Sequence, residues 1–227
     1  MKWRSLEGSS SSTDTRSLRE QLAERKELIA QYVPPETRAI HARVIADLKQ
    51  DRVEARTLPI GAKVPAFELH DHRGRVVTSS DLLAKGKLVI CFFRGRWCPF
   101  CVGQLEAMNQ VLPQIQAAGA NLIAISPQTV QQSFFMADQH RLQYPLLSDA
   151  GNRVARQFGL VYRVPEQQRD VYRRAFINLP FTNGDDSWEL PIPASYILDW
   201  DGTAIFTSAD ADYTERPEPR KILETLV

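Results

Sequence analysis

KLVICFFRGRWCPFCVGQLEAMNQVL, residues 87–112, decides the fold: an apolar run, a short turn rich in Arg, then two thiols three residues apart where a helix begins. Leu88 to Phe93 is apolar without alternation, the pattern of a strand buried on both faces of a parallel sheet. Pro99 suits the first position of a helix, and Leu105, Met108, Leu112 and Ile115 recur on one side of it, so a helix is expected over 98–118. Cys98 then ends the turn, facing unpaired N–H groups and the positive end of the helix dipole, which favours its thiolate. Arg94 and Arg96 add positive charge on the approach. Cys101 lies one turn deeper on the same face, within reach of a disulfide with Cys98. The expectation is one exposed, acidic thiol and one sheltered, resolving thiol. Trp97 either covers the pair or serves packing alone.

Downstream, strands and helices alternate. NLIAIS reads as a second buried strand, TVQQSFFMADQHRL as a helix with His140 near its end, YPLLSD as a short strand and AGNRVARQFGL as a short helix. SYILDWDGTAIFTS gives two strands around Asp201-Gly202, and EPRKILETL a closing helix. Upstream, LPIGAKVPAFELHDHRGRVVTSSDLL gives two short strands about a turn at Arg73-Gly74. His70 and His72 flank that turn as ordinary turn residues, with no acidic cluster beside them to complete a metal site. The alternation predicts an α/β fold, a mixed central sheet with helices on both faces. Residues 162–191 interrupt it as an insertion, whose segment Asp185-Asp186-Ser187-Trp188-Glu189 either lines the cleft or caps a solvated loop.

The N-terminal part differs. Residues 1–16 carry a Ser run and read as a disordered lead-in, and 17–56 as a helical extension ahead of a domain over 57–227. Leu18, Leu22, Ile29 and Tyr32 share one helical face, Pro34-Pro35 break the helix, and Ile40, Val44 and Leu48 mark a second. His41 sits on the second helix as a surface or packing residue. One apolar stripe per helix must be buried, either on the chain's own domain or in a homodimer contact.

Composition narrows the function. The 227 residues carry 28 basic against 27 acidic side chains, a net charge of +1, so neither nucleic acid nor a membrane surface is an expected partner. Apolar runs are too short to cross a bilayer, and MKWRSLEGSSSSTD lacks the apolar centre of a secretory signal. Three cysteines make no disulfide framework, and a reducing, cytoplasmic setting is expected. Zinc needs four ligands, and only Cys91, mid-strand, remains beside the pair. Haem attachment would need His where Val102 stands. The two thiols therefore point to redox chemistry without a cofactor.

WCPFC resembles the thioredoxin and glutaredoxin active site. The wider context, GAKVPAFELHDHRGRVVTSSDLL, LIAISPQ, PLLSDAGNRVARQFGL and PASYILDWDGTAIF, resembles the peroxiredoxin family of alkyl hydroperoxide reductases and thiol-specific antioxidant proteins over about residues 57–227, in a branch carrying CxxC. The resemblance implies a thioredoxin-like fold and thiol-dependent reduction of hydroperoxides. A reductant of thioredoxin, glutaredoxin or glutathione type would reset the pair. The alternative is a thiol–disulfide oxidoreductase acting on disulfides. The family's Pro-xxx-Thr-xx-Cys pattern falls on Arg94, Cys98 and Cys101, which puts Cys101 at the peroxide-attacking position. The family's Arg ahead of the last hairpin falls on Pro193, which instead resembles the cis-Pro that thioredoxins place opposite their CxxC. A cis Ile192–Pro193 bond facing the thiols is therefore expected. Which thiol attacks first stays open.

Overall fold

The computed structural model describes residues 16–227; the lead-in expected over 1–16 lies, Arg16 apart, outside the described residues. The apolar run at Leu88 becomes β3 (Lys87–Phe92), an interior strand of the main sheet. β4 (Ala120–Ser126) pairs parallel on one side, and β8 (Ala194–Leu198) antiparallel on the other. Outward lie β5 (Leu146–Ser148), then β1 (Glu68–Asp71) and β2 (Val76–Thr78) at one edge, and β9 (Ala204–Ala209) at the other. The order β2-β1-β5-β4-β3-β8-β9 is a mixed sheet with helices on both faces, the thioredoxin-like arrangement. Both faces of β3 are dry. Val89, Cys91 and Phe93 face one core with α4 (Pro99–Gln110) and α5 (Leu112–Ala117), while Leu88, Ile90 and Phe92 face another with Phe158 and Tyr196. That two-sided burial is why the run does not alternate.

The helix expected over 98–118 is two helices. The break falls at Val111, because Pro113 has no N–H to continue the hydrogen-bond ladder and fits only the first turn of a new helix, α5. The insertion, residues 162–191, is ordered: β6 (Val161–Arg163) and β7 (Glu189–Pro191) pair as a separate two-stranded sheet. Between them lie α8 (Glu166–Arg174) and α9 (Leu179–Asn183).

The N-terminal helices, α1 (Leu18–Tyr32) and α2 (Pro35–Gln50), pack on their own domain. Leu18 and Leu22 of α1 enter the core around α4, while Tyr32, expected on the same face, is 75% exposed. Gly103 of α4 makes the close approach possible, since a Cβ there would stand 3.0 Å from Leu22 Cδ2 and 3.1 Å from Arg25 Nη1. Burying two Leu side chains contributes about 1.5–3 kcal/mol each, more than an isolated helix of this length can supply itself. α1 is also held at its start. Ser17 and Glu20 form a capping box, and the Glu218 carboxylate accepts the N–H groups of Leu18 (3.0 Å) and Arg19 (2.8 Å). Glu218→Ala should cost about 1–2 kcal/mol, the usual worth of a helix N-cap. Hydrogen exchange should quicken in α1 well before β3. Equal quickening of both would show that Glu218 supports the whole fold and not this contact.

Candidate active site

The turn after β3 brings together what the sequence placed there. Gly95 has φ +149, and a Cβ on it would stand 2.5 Å from the Trp97 indole Nε1; only Gly lets Trp97 fold back over its own turn. Cys98 is the N-cap of α4 with Pro99 in the first turn, as expected, and Cys101 lies three positions on. Both are free thiols, and both are buried, Cys98 1% exposed and Cys101 0%.

The electrostatics set the two thiols apart. Cys98 makes no cap hydrogen bond with its side chain, so the helix start does not hold it as a thiolate. Burial pushes its pKa well up, and its thiol donates to Cys101. Cys101 faces the same burial cost, but the Cys98 thiol, the Arg216 and Arg94 guanidinium groups and the Arg94 backbone N–H together lower it to about 5. Within the pair, the hydrogen bond and the two guanidinium groups favour the thiolate at Cys101 over Cys98.

Arg94 is 2% exposed. Its guanidinium donates to the hydroxyls of Tyr172 and Tyr162. It lies over the rings of Tyr213 (4.2 Å to the centroid) and Trp97 (4.8 Å). Among the described residues no carboxylate comes within ion-pair range of it; Tyr172, Tyr162, Cys98 and Tyr213 are the groups whose charge bears on it, and it in turn lowers the Cys101 thiol. Tyr162, Tyr172 and Tyr213 lie close enough to Cys98 for its charge to bear on them, and burial raises all three, Tyr213 to about 12. They remain neutral.

The expectations for Arg96 and Pro193 are corrected. Arg96 turns away from the thiols: its N–H donates to Gln128 Oε1 (3.0 Å) and its Nε to Gln132 Oε1 (2.7 Å), beside α6 (Val130–Gln139). Pro99 contributes its carbonyl, which accepts from Arg25 of α1. Trp97 covers Arg94 and packs on Tyr172 at 5.2 Å. The Ile192–Pro193 bond is trans, because no cis peptide occurs among the described residues. The Pro193 carbonyl accepts from the Asp210 N–H (3.3 Å), continuing the β8–β9 pairing that an extended, trans chain supplies. The acidic loop does not reach the thiols either. Trp188 lies over Arg169 and Arg173 of α8, and Glu189 pairs with Arg156. The insertion serves the site through Tyr162 and Tyr172 instead.

Two contributors had no signal in the sequence. His41 of α2 packs on Tyr172 (6.1 Å between ring centroids) and Tyr213 (5.9 Å), closing the aromatic wall; burial and Arg94 lower its pKa to about 4, so it is neutral there. Arg216, just before α10 (Pro219–Leu226), reaches Cys101 Sγ with Nη2 at 3.4 Å. Cys91, mid-strand, is apart from this chemistry: burial raises it to about 12, and Ser195 Oγ donates to its sulfur at 4.0 Å.

Residues 60–205 match the AhpC/TSA family. Peroxiredoxin Q of Sedum lineare, a chloroplast protein, is 31% identical over 116 residues, 51% of this chain and 61% of that one. Thiol-disulfide oxidoreductase ResA of Bacillus thuringiensis is 23% identical over 158 residues, 69% of this chain and 70% of that one. Among solved structures, peroxidoxin BcpB of Mycobacterium tuberculosis superposes with a TM-score of 0.59 at 24% identity, covering 74% of this chain and 96% of that one.

Proposed function

Because the chain belongs to the AhpC/TSA family, we propose that it is a thiol-dependent peroxidase in which Cys101 attacks the peroxide and Cys98 resolves the product. The observation that carries this reading is the Arg216 guanidinium on Cys101 Sγ (3.4 Å), with the Cys98 thiol and Arg94 also lowering Cys101 while burial raises Cys98. The Cys101 thiolate attacks one oxygen of ROOH, the O–O bond breaks, and the sulfur becomes sulfenic acid as RO⁻ leaves to take a proton from solvent. Cys98 then attacks that sulfur. The S–S bond forms, the S–OH bond breaks, and the Cys98 proton leaves with the hydroxyl as water. A thiol reductant of thioredoxin, glutaredoxin or glutathione type, in a reducing compartment such as the cytoplasm, returns the disulfide to the dithiol.

A second reading, reduction of disulfides, is favoured by the WCPFC motif and by the similarity to ResA. The burial of both sulfurs supports the peroxide reading over it, since hydrogen peroxide can enter where the flank of a protein disulfide cannot. Thiol counting after one equivalent of hydrogen peroxide tests the choice. Two of the three thiols should be lost, with Cys91 still reduced in mass mapping. Thiols that survive peroxide but fall to oxidised glutathione would favour the second reading. Cys91 in the main disulfide would sink both.

A further inference from the structure

The sulfurs are buried, and one polar side chain touches both a sulfur and a cleft. Arg216 is half-buried. On one side it meets Cys101, and on the other it lines a cleft of about 480 Å³ with Arg19, Pro193, Ser195 and Lys221. All three of its nitrogens are engaged. Nε donates to Gln104 Oε1 (2.7 Å), Nη1 to the carbonyls of Tyr213 (2.7 Å) and Glu215 (2.6 Å), and Nη2 to Cys101 Sγ. Gln104 is itself fixed. It is 1% exposed on α4, one turn beyond the thiols, and its Nε2 donates to Ser195 Oγ (3.0 Å) on β8. A guanidinium held by its other nitrogens aims Nη2 without reorganisation when charge develops on the reacting atoms.

We propose that Arg216 is a catalytic residue of this site: it holds the Cys101 thiolate, meets the peroxide arriving through the cleft, and donates to the oxygen that departs as the O–O bond breaks, with Gln104 positioning it. The inference rests on the peroxidase reading and names the group that activates it. The resemblance puts Pro193 where the family has its Arg, and Pro193 offers no cation. Arg216 lies outside residues 60–205, the part that matches the family, and enters from the far side of the last hairpin. The charge therefore comes from a different segment. The groups that bear on Cys101 from the elements around it are Cys98 and Arg94 on the turn and Arg216 on the approach to α10; Glu215, next in sequence, offers only its carbonyl to Arg216.

Two profiles against pH test this, measured on the reduced full chain and on Arg216→Met, Arg216→Lys and Gln104→Leu. One is the rate of alkylation by iodoacetamide, which reports the Cys101 pKa and needs no oxyanion donor. The other is the rate with hydrogen peroxide. In Arg216→Met the alkylation profile should move up by at least about one pH unit, the usual effect of losing an adjacent opposite charge. Above the new pKa alkylation should be no slower than in the wild type, while peroxide reduction stays about 10²-fold slower, the scale of one lost oxyanion donor. Arg216→Lys should recover most of the alkylation shift and less of the peroxide rate, because an ammonium cannot reproduce the fork. Gln104→Leu should move both profiles the same way by less, as a positioning residue would. Lys63→Met, at an exposed ion pair with Asp201 and away from both the sulfur and the cleft, should move neither. An Arg216→Met alkylation profile that overlays the wild type overturns the inference, as does a peroxide rate that falls only in proportion to the thiolate lost. A wild type that alkylates with a low pKa yet consumes no peroxide removes the peroxidase reading and the oxygen contact, and leaves the hold of Arg216 on the thiolate to be decided by alkylation alone.

Discussion

Cys101→Ser should slow the reaction with hydrogen peroxide by at least about 10²-fold at neutral pH, whereas Cys98→Ser should keep the first step and stop at sulfenic acid. The asymmetry follows from which sulfur is charged. In Cys101→Ser the remaining thiol at the site is Cys98, whose pKa burial holds high, and a thiol with a pKa of about 9 is only about 1% thiolate at pH 7. Arg94 and Arg216 lower Cys98 as well, but the burial that raises it comes first and remains in the variant. In Cys98→Ser the serine hydroxyl can still donate to Cys101, and Arg94 and Arg216 remain, so the attack proceeds. Resolution does not, because no second thiol lies on that helical face; Cys91 is a strand residue facing the core. Dimedone should trap stoichiometric sulfenic acid in Cys98→Ser and next to none in Cys101→Ser. The reverse pattern would give the attack to Cys98 and undo the assignment.

Where the sequence misled, the cause was a side chain arriving from far along the chain. The unalternated run before Arg94, the Pro at the helix start and the two thiols on one helical face were all local, and the structure places them as read. The choice between the thiols was not local. A helix N-terminus favours the thiolate of a residue that accepts its N–H groups, but Cys98 makes no such bond, while Cys101 collects one from the Arg94 backbone and a guanidinium from 115 residues away. Nothing in DYTERPEPRK distinguishes Arg216 from a solvated charge. His41 was hidden for the same reason, since its aromatic partners are Tyr172 and Tyr213. Pro193 misled through position alone: it precedes the strand as a thioredoxin proline would, yet its carbonyl is committed to the pairing with β9.

The burial of Arg94 without a carboxylate leads to the remaining prediction, on the redox poise of the pair. Reducing the disulfide to two thiols takes up two protons with two electrons. Reducing it to a thiol and a thiolate takes up one. Each proton changes the equilibrium tenfold per pH unit, or about 30 mV for a two-electron couple. Between about pH 5, where Cys101 ionises, and the much higher pKa of Cys98, the midpoint should fall by about 30 mV per pH unit, not about 59. The reduced fold should show the same proton count in its stability. Cys101 is depressed in the folded chain, so its contribution is complete above the unfolded thiol pKa of about 8.5 and is lost as pH falls through about 5; the disulfide form has no such titration. Arg94→Met keeps the length of the side chain between Tyr213 and Trp97 but removes the charge. The Cys101 pKa should rise by about 1–3 units, the usual effect of an adjacent cation, and the two-proton slope should extend upward to meet it. Because the cation stabilises only the reduced form, its loss should also make the couple more reducing at pH 7, by about 60 mV for a hundredfold change. Equilibration with glutathione across pH measures both. A wild-type slope of about 59 mV through neutral pH would mean that both sulfurs are protonated, and that the buried guanidinium does not hold Cys101 as a thiolate.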